Sequence, residues 1–308
     1  MNLNSPLDLA TIAVIGIAAM GLFGGALFAV ARRGHSGGLA PRTAMTRAGS
    51  YAALAVLITV AARAGVLGIG GLILVLGSIG IVEWARLFDL PTHHRVSMLA
   101  GNVALVVAVG IAGRAAADWL VGGLVLVGAA WPVIRADTGR AIRDLGIAAV
   151  GFLIVPVLLV HGLALAVELQ GAGIALFVAL AVACAGSDVG AFVVGRTFGR
   201  AALAPRLSPT KTRAGVIGNI LGAAIGLAAF TPALVPTFGV GFVGALVPIV
   251  AAGSLWGDLL ESAVKREAHV KDAGDWLPGF GGILDRIDSL LITVALAYWA
   301  LRILAAVG

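Results

Sequence analysis

Charged residues are scarce in this chain. They make up 12% of its 308 residues, whereas hydrophobic residues make up 60%. About a quarter of the residues of an ordinary soluble protein are charged, and a mean hydropathy of +1.06 also lies far from a soluble average. The composition therefore excludes a typical soluble domain and favours a protein that lies largely within lipid.

Several familiar functional signals are missing as well. The single cysteine, Cys184, leaves no intrachain disulfide, and we interpret it as a small core residue. No G-x-x-x-x-G-K-[ST] string occurs, so nucleotide binding cannot depend on a P-loop. No Ser/His/Asp or Cys/His constellation is evident. The net charge of +6 comes without a basic patch interleaved with aromatic residues, so we expect no nucleic-acid partner.

Apolar runs long enough to cross a bilayer are plentiful, and about 20 apolar residues are enough for one span. Because no cleavage site follows the first run, we expect it to be a retained helix rather than a signal peptide. We predict an all-α polytopic membrane protein with about ten transmembrane helices, with nine as the alternative. The predicted spans are 9–31, 48–62, 66–85, 97–112, 119–134, 147–167, 172–195, 214–234, 239–257 and 287–306.

Basic residues are distributed unevenly between the predicted loops. With ten spans, 18 of the 21 Lys and Arg residues lie on one side of the membrane. Lys and Arg are enriched in cytoplasmic loops. The sequence therefore predicts that segments 32–47, 196–213 and 258–286 share the cytoplasmic side.

One polar stretch, residues 254–289, stands between apolar flanks. Asp258, Ser262, Lys265 and Asp272 recur at i, i+4, i+7 and i+14, which predicts one stripe of a helix. A Gly-rich turn follows, and two further carboxylates come after it at a spacing of i, i+3. Carboxylates on two sides of such a turn can converge on a hard cation, and nearby Lys and Arg can hold phosphate.

A second polar segment lies upstream. Asp188 stands within an apolar run, where an ionisable side chain is a functional-site hypothesis by default. The segment 208–212 reads SPTKT, which we predict to be a polar loop. Its lysine and hydroxyl groups can bind phosphate oxygens.

The two polar segments together resemble the signature of the phosphatidate cytidylyltransferases, or CDP-diacylglycerol synthases, over roughly the C-terminal 125 residues. Where the family usually has His, this chain has Phe280, and where it usually has Glu or Gln, this chain has Ala214. The matching residues are Ser187-Asp188, Ala191-Phe192, Gly195-Arg196, Ser208-Pro209-Thr210-Lys211-Thr212, Ser262-x-x-Lys265-Arg266, Lys271-Asp272 and Pro278-Gly279-x-Gly281-Gly282-x-x-Asp285-Arg286-x-Asp288.

The resemblance implies an enzyme of a bacterial-type inner membrane that condenses CTP with phosphatidate and depends on Mg²⁺, with a second cation as an alternative. It implies a homodimer as a further expectation. The implied catalytic residues are Asp258, Ser262, Lys265 and Asp285. The implied metal ligands are Asp258, Asp272, Asp285 and Asp288. The implied substrate-binding residues are Asp188, Ser208, Lys211, Thr212, Arg266, Lys271 and Arg286.

Two domains of the membrane part are expected, namely N-terminal helices over 1–170 and a catalytic region over 171–308. Three alternatives remain open at the level of sequence. The lipid substrate could be another lipid phosphate, since the motif residues address phosphate and metal rather than the lipid tail. The chain could also be a family member without activity, or an ion-coupled transporter with its site at the membrane midplane.

Overall fold

The structure is a computed structural model that describes residues 56–135, 139–270, 273–274 and 281–307. The first predicted span and the beginning of the second lie outside these residues. Helical residues 56–63 lead into the first complete element.

The described part of the chain is built almost entirely from helices. A π-helical turn, Leu153–Val157, joins two of them around Pro156, a residue that cannot donate a backbone hydrogen bond. In chain order the elements are α1 (Gly65–Leu87), α2 (Thr92–Ala112), α3 (Ala115–Arg135), α4 (Ala141–Phe152), α5 (Leu158–Phe198), β1 (Ala202–Ala204), β2 (Ser208–Thr212), α6 (Arg213–Ala228), α7 (Thr231–Glu267) and α8 (Leu284–Val307).

Five helical segments in the described residues are long and apolar enough to cross a membrane. This confirms the prediction of an all-α, multi-pass membrane protein, while the count of ten spans stays a prediction. The five segments are Gly65–Leu87, Thr92–Ala112, Ala141–Phe198, Thr231–Glu267 and Leu284–Ala306.

Two of the long segments bend where the sequence predicts a boundary between spans. Gln170, with a φ of 51°, interrupts α5 between the predicted spans 147–167 and 172–195. Gly239, with a φ of 78°, interrupts α7 at the start of the predicted span 239–257. The predicted span 214–234 is wrong as a single helix, because α6 ends at Ala228 before α7 begins.

The segment that was predicted as a polar loop is a β-strand. Strand β2 pairs antiparallel with β1, with Ala202 opposite Thr212 and Ala204 opposite Ser208. The β-branched Thr210 and Thr212 suit an extended strand. This hairpin is a correction to the purely helical expectation, and it holds Lys211 beside the ends of the helices.

Helix α5 is the centre of the bundle, because its apolar residues are buried on all sides. Helix α6 packs against it through glycines, which recur every four residues at Gly218, Gly222 and Gly226. A Cβ added at Gly218 would overlap the carbonyl oxygen of Gly190, and one at Gly222 would overlap that of Gly186. Glycine lets the two backbones approach this closely within a membrane.

Helices α7 and α8 approach one another in the same way. A Cβ at Gly257 would overlap the carbonyl oxygen of Asp288, and one at Gly253 would lie 2.5 Å from the Thr293 hydroxyl. The two glycines are four residues apart and therefore share one face of α7. This contact brings the polar ends of α7 and α8 together.

Candidate active site

A cavity of about 610 Å³ opens between α5, α6, α7, α8 and the β-hairpin. Small-molecule sites commonly have volumes of 300 to 1,000 Å³. Charged side chains from several elements line it, which is costly in a membrane protein unless the groups are paired or functional. They are Asp188, Arg196, Lys211, Asp258, Asp285, Arg286 and Asp288.

An ion pair across the cavity joins the two polar segments of the sequence. The Lys211 Nζ atom lies 2.6 Å from Asp258 Oδ2, and the two side chains are 24% and 34% exposed. Strand β2 carries the lysine and helix α7 carries the carboxylate. Both segments therefore lie at the same side of the bundle, which agrees with the prediction that segments 196–213 and 258–286 share one side of the membrane.

Asp188 lies at the inner wall of the cavity, where it connects three helices. Its Oδ1 atom accepts hydrogen bonds from the hydroxyl groups of Ser254, at 3.0 Å, and Ser289, at 3.3 Å. Both serines are buried. The carboxylate on α5 thus fixes the relative positions of α7 and α8.

Two further carboxyl groups approach one another at the α7–α8 contact. The side chains of Asp258 and Asp288 are close enough to interact, and Asp288 is buried. Carboxylates this close repel each other unless a proton or a cation lies between them. A pair of carboxylate oxygens facing a polar cavity is the kind of donor set that Mg²⁺ binds.

Asp285 has both oxygens engaged. Its Oδ1 atom lies 2.7 Å from Lys265 Nζ, and its Oδ2 atom accepts hydrogen bonds from the backbone N–H groups of Gly282, at 2.7 Å, and Ala273, at 3.1 Å. The same lysine lies 2.8 Å from Glu261 Oε2. Lys265 therefore ties α7 to the first turn of α8 from behind the cavity wall.

Thr212 combines a cavity position with a structural role. Its hydroxyl oxygen accepts a hydrogen bond of 3.1 Å from the Gly215 N–H group and so caps α6. Thr210 and Lys211 line the cavity beside it.

Four of the predicted site residues that the structure describes do not line this cavity, and one of them is Lys265, which lies behind its wall. The Ser262 hydroxyl donates to the Asp258 carbonyl oxygen at 2.8 Å and stays on its own helix. Ser208 is buried at the start of β2, and Arg266 is exposed on the outside of α7.

The predicted helical stripe also ends earlier than the spacing indicates. Helix α7 ends at Glu267, and His269 has a left-handed φ of 56°. The stripe therefore stops at Lys265 and does not continue to Asp272. Asp272 and Lys271 themselves lie outside the described residues.

The structure adds site residues that the sequence did not single out. Glu83 on α1 is fully buried and accepts hydrogen bonds from the N–H groups of Ile283 and Leu284, each at 2.8 Å. A carboxylate inside an apolar span was the available signal for it. Glu261 had a signal too, because it lies four residues before Lys265 on one helix face.

Within the described residues, no group of three or more His, Cys, Asp and Glu side chains is close enough to hold a metal ion. Mg²⁺ usually needs only one or two protein carboxylates, because substrate phosphates and waters supply its other ligands. The neighbouring Asp258 and Asp288 carboxyl groups therefore fit such an ion, whereas Asp285 has both of its oxygens engaged by Lys265 and by backbone N–H groups.

Comparison with known proteins gives one family and several relatives. The profile of the "Cytidylyltransferase family" matches residues 45–304. A phosphatidate cytidylyltransferase of Mycobacterium bovis is 31% identical over 256 residues, which cover 73% of this chain and 80% of that protein. The phosphatidate cytidylyltransferase of Mycobacterium leprae is 39% identical over 41% of this chain and 40% of its own length. An uncharacterised Escherichia coli protein, YnbB, is 34% identical over 44% of this chain and 45% of its own length. The chain thus spans less than half of the last two relatives.

Proposed function

This chain belongs to the cytidylyltransferase family, and from that premise we propose that it condenses CTP with phosphatidate to give CDP-diacylglycerol and pyrophosphate. One observation carries the proposal beyond family membership. The two polar segments meet at a single cavity, where Lys211 pairs with Asp258 beside Asp288. This arrangement suits the handling of phosphate groups at the surface of a membrane.

In the proposed reaction, a phosphate oxygen of phosphatidate attacks the α-phosphorus of CTP. A new P–O bond forms, the bond between the α- and β-phosphates breaks, and pyrophosphate leaves. Both substrates are polyanions, so their approach needs positive charge at the reacting phosphates. Lys211 on β2 and Arg286 on α8 both line the cavity and can supply it. No protein nucleophile is needed, because positioning and electrostatics can provide the rate.

Asp258 and Asp288 are the residues that would hold Mg²⁺ together with the phosphates of CTP. Bound there, the ion would neutralise charge on the nucleotide and on the leaving pyrophosphate. Asp188 would orient the two helices that carry this pair through its hydrogen bonds to Ser254 and Ser289. Asp285 and Asp272 stay candidates, as does a second cation.

The lipid side of the proposal is supported by a small apolar pocket beside α7 and α8. Trp84, Leu260, Val264 and Leu291 line it, and Asp288 is also among its lining residues. An acyl chain or a lipid neck can lie against such a wall while the phosphate group enters the polar cavity.

We further propose that the protein lies in an inner membrane with the cavity facing the cytoplasm, as the distribution of basic residues predicts. In a Cys184→Ala background, single cysteines at Arg206 and Glu267 should react with an impermeant thiol reagent from the cytoplasmic side only. A cysteine at Ala115 should react from the opposite side. If the cysteines that replace Arg206 and Glu267 react from different sides, the two polar segments cannot form one site. The homodimer stays a prediction.

The deciding experiment uses purified protein in detergent with CTP and phosphatidate. We expect Mg²⁺-dependent formation of CDP-diacylglycerol together with one equivalent of pyrophosphate, and loss of both products with EDTA. Asp258→Asn serves as the inactive control. If phosphatidate gives no product while a polyprenyl phosphate does, the lipid assignment is wrong but the chemistry stands. If CTP is not consumed with either lipid, the proposed function is wrong.

A further inference from the structure

A buried carboxylate on a distant helix holds the start of α8. The Oε1 atom of Glu83 accepts a hydrogen bond from Ile283 N–H and its Oε2 atom accepts one from Leu284 N–H, both at 2.8 Å across about 200 residues of chain. The glutamate is 0% exposed. The first N–H groups of a helix lack partners within the helix, and an anionic group there also complements the helix dipole.

The backbone around Glu83 is shaped to admit its carboxylate. A Cβ at Gly282 would lie 2.7 Å from Glu83 Oε2, and one at Gly274 would lie 2.8 Å from Oε1. These contacts are too close for any other residue type without a shift. The sequence predicts a tight turn at Gly282, but of the two glycines of this turn that the structure describes it is Gly281 that has a positive φ, of 80°.

The end of α1 that carries Glu83 is itself anchored. The neighbouring Trp84 donates from Nε1 to the Ile147 carbonyl oxygen at 3.0 Å. One turn earlier, a Cβ at Gly80 would lie 3.1 Å from a methyl group of Leu284. Helix α1 therefore fixes the first turn of α8 through both a polar and an apolar contact.

The first turn of α8 is the part of the chain that carries the cavity charges Asp285 and Arg286, and Asp288 follows one turn on. Three consecutive backbone N–H groups at the start of this turn donate hydrogen bonds to carboxylates. Gly282 donates to Asp285, and Ile283 and Leu284 donate to Glu83. A displacement of about 1 Å at a reacting centre can cost on the order of a hundredfold in rate.

We propose that Glu83 is a positioning residue for the reaction: it sets the register of α8 and thereby places Asp288 and Arg286 in the cavity. This inference rests on the proposed function for its kinetic part. It assigns Glu83 no contact with substrate.

The test compares Glu83→Gln with Glu168→Gln, a matched control at the far end of α8. Glu168 also accepts hydrogen bonds, from the Arg114 N–H group and the Tyr298 hydroxyl, and lies away from the cavity. Glutamine keeps the shape of each side chain but loses the charge and one acceptor. Both variants should lower the thermal unfolding midpoint. Only Glu83→Gln should change the Mg²⁺ dependence of activity and the hydrogen exchange at the start of α8.

Two measurements separate positioning from general stability. We expect Glu83→Gln to raise the Mg²⁺ concentration for half-maximal activity about tenfold or more, with no such change in Glu168→Gln. We also expect hydrogen exchange in the peptide covering 281–292 to be at least about tenfold faster in Glu83→Gln alone. Equal Mg²⁺ shifts in the two variants, or unchanged exchange in Glu83→Gln, would overturn the proposal.

A second variant addresses the contact from the other side. Gly282→Ala places a methyl group against the carboxylate, so it should reproduce the effects of Glu83→Gln, and the double variant should be no worse than the more severe single one. Additive effects would contradict a shared contact. If Glu83→Gln does not fold, Glu83→Asp and Gly282→Ala provide the same comparison. If the wild type lacks activity, the proposed function is wrong, and the exchange measurement still decides whether Glu83 holds α8.

Discussion

Replacing Lys211 by Met should separate catalysis from stability. The ammonium group lies 2.6 Å from Asp258, but both side chains are partly exposed, at 24% and 34%. The Lys211 Nζ atom itself is buried, but the pair lies at the wall of an open polar cavity, so we expect it to contribute no more than about 1 kcal/mol to folding. If the same ammonium neutralises a substrate phosphate in the transition state, its removal should cost about 2.7–4 kcal/mol, or roughly 10²–10³ in rate.

Lys265→Met is the matched comparison. Its ammonium group pairs with Glu261 at 2.8 Å and with Asp285 at 2.7 Å, and those carboxylates are 13% and 8% exposed. Removing one member of a buried ionic network typically costs about 3–5 kcal/mol. Lys265→Met should therefore destabilise the protein strongly, whereas Lys211→Met should leave its unfolding midpoint nearly unchanged.

The assay measures kcat/KM for CTP together with the thermal unfolding midpoint for the two variants and for Lys211→Arg. The arginine variant keeps the charge and should recover part of the activity. The reasoning is refuted if Lys211→Met retains kcat/KM within twofold of wild type. It is also refuted if the loss of activity is accompanied by a loss of stability as large as that of Lys265→Met.

Three further predictions concern the neighbouring helices and the Gly-rich turn. Asp285→Asn should lower both the rate and the unfolding midpoint, because it removes one carboxylate of the buried network with Lys265 and Glu261; an unchanged midpoint with full activity would exclude an essential role for the carboxylate. Gly257→Leu should lower the unfolding midpoint and abolish activity, because the new side chain would force α7 away from the α8 backbone. Gly244→Leu should leave both quantities unchanged, because that glycine faces open space. Equal effects of the two variants would contradict the packing argument. Phe280→His should change the rate by less than about tenfold, or about 1.4 kcal/mol of barrier, and an inactive wild type that is rescued by this change would contradict the prediction.

The sequence predicted those features that depend on local spacing. Asp258 and Lys265 lie on one helix, as their separation of seven residues indicates. The breaks near Gln170 and Gly239 coincide with gaps between apolar runs. The glycine stripe of α6 marks a close helix contact, as a small-residue repeat in an apolar run should.

The features that the sequence did not reveal depend on contacts between distant segments. Glu83 lies about 200 residues from its partners, and nothing in its local pattern indicates which helix it caps. Asp188 meets Ser254 and Ser289 only because α7 and α8 approach so closely. The β-hairpin was missed since a strand of five residues next to a proline looks like a loop in the sequence.

The two polar ends of α8 differ in a way that indicates which of them is functional. At one end, Glu168 accepts hydrogen bonds from Arg114 and Tyr298, and Arg114 in turn binds His161 and Asp118. This network pairs donors with acceptors and ties the helices together without lining the large cavity.

At the other end, about 20 Å away at 1.5 Å per residue, four carboxylates and three basic groups line the cavity, and two of the carboxyl groups face each other. Such a site becomes favourable when a cation and phosphates bind together. The cation offsets the negative charge of the carboxylates, and the phosphates offset the positive charge of the basic groups and the cation. An ion-coupled transporter would be expected to place its acidic residues near the middle of the membrane. Here Asp285 lies in the first turn of α8, Asp288 follows one turn on, and Asp258 lies within the last three turns of α7. This placement favours an enzyme that receives a soluble nucleotide and a lipid phosphate at the membrane surface.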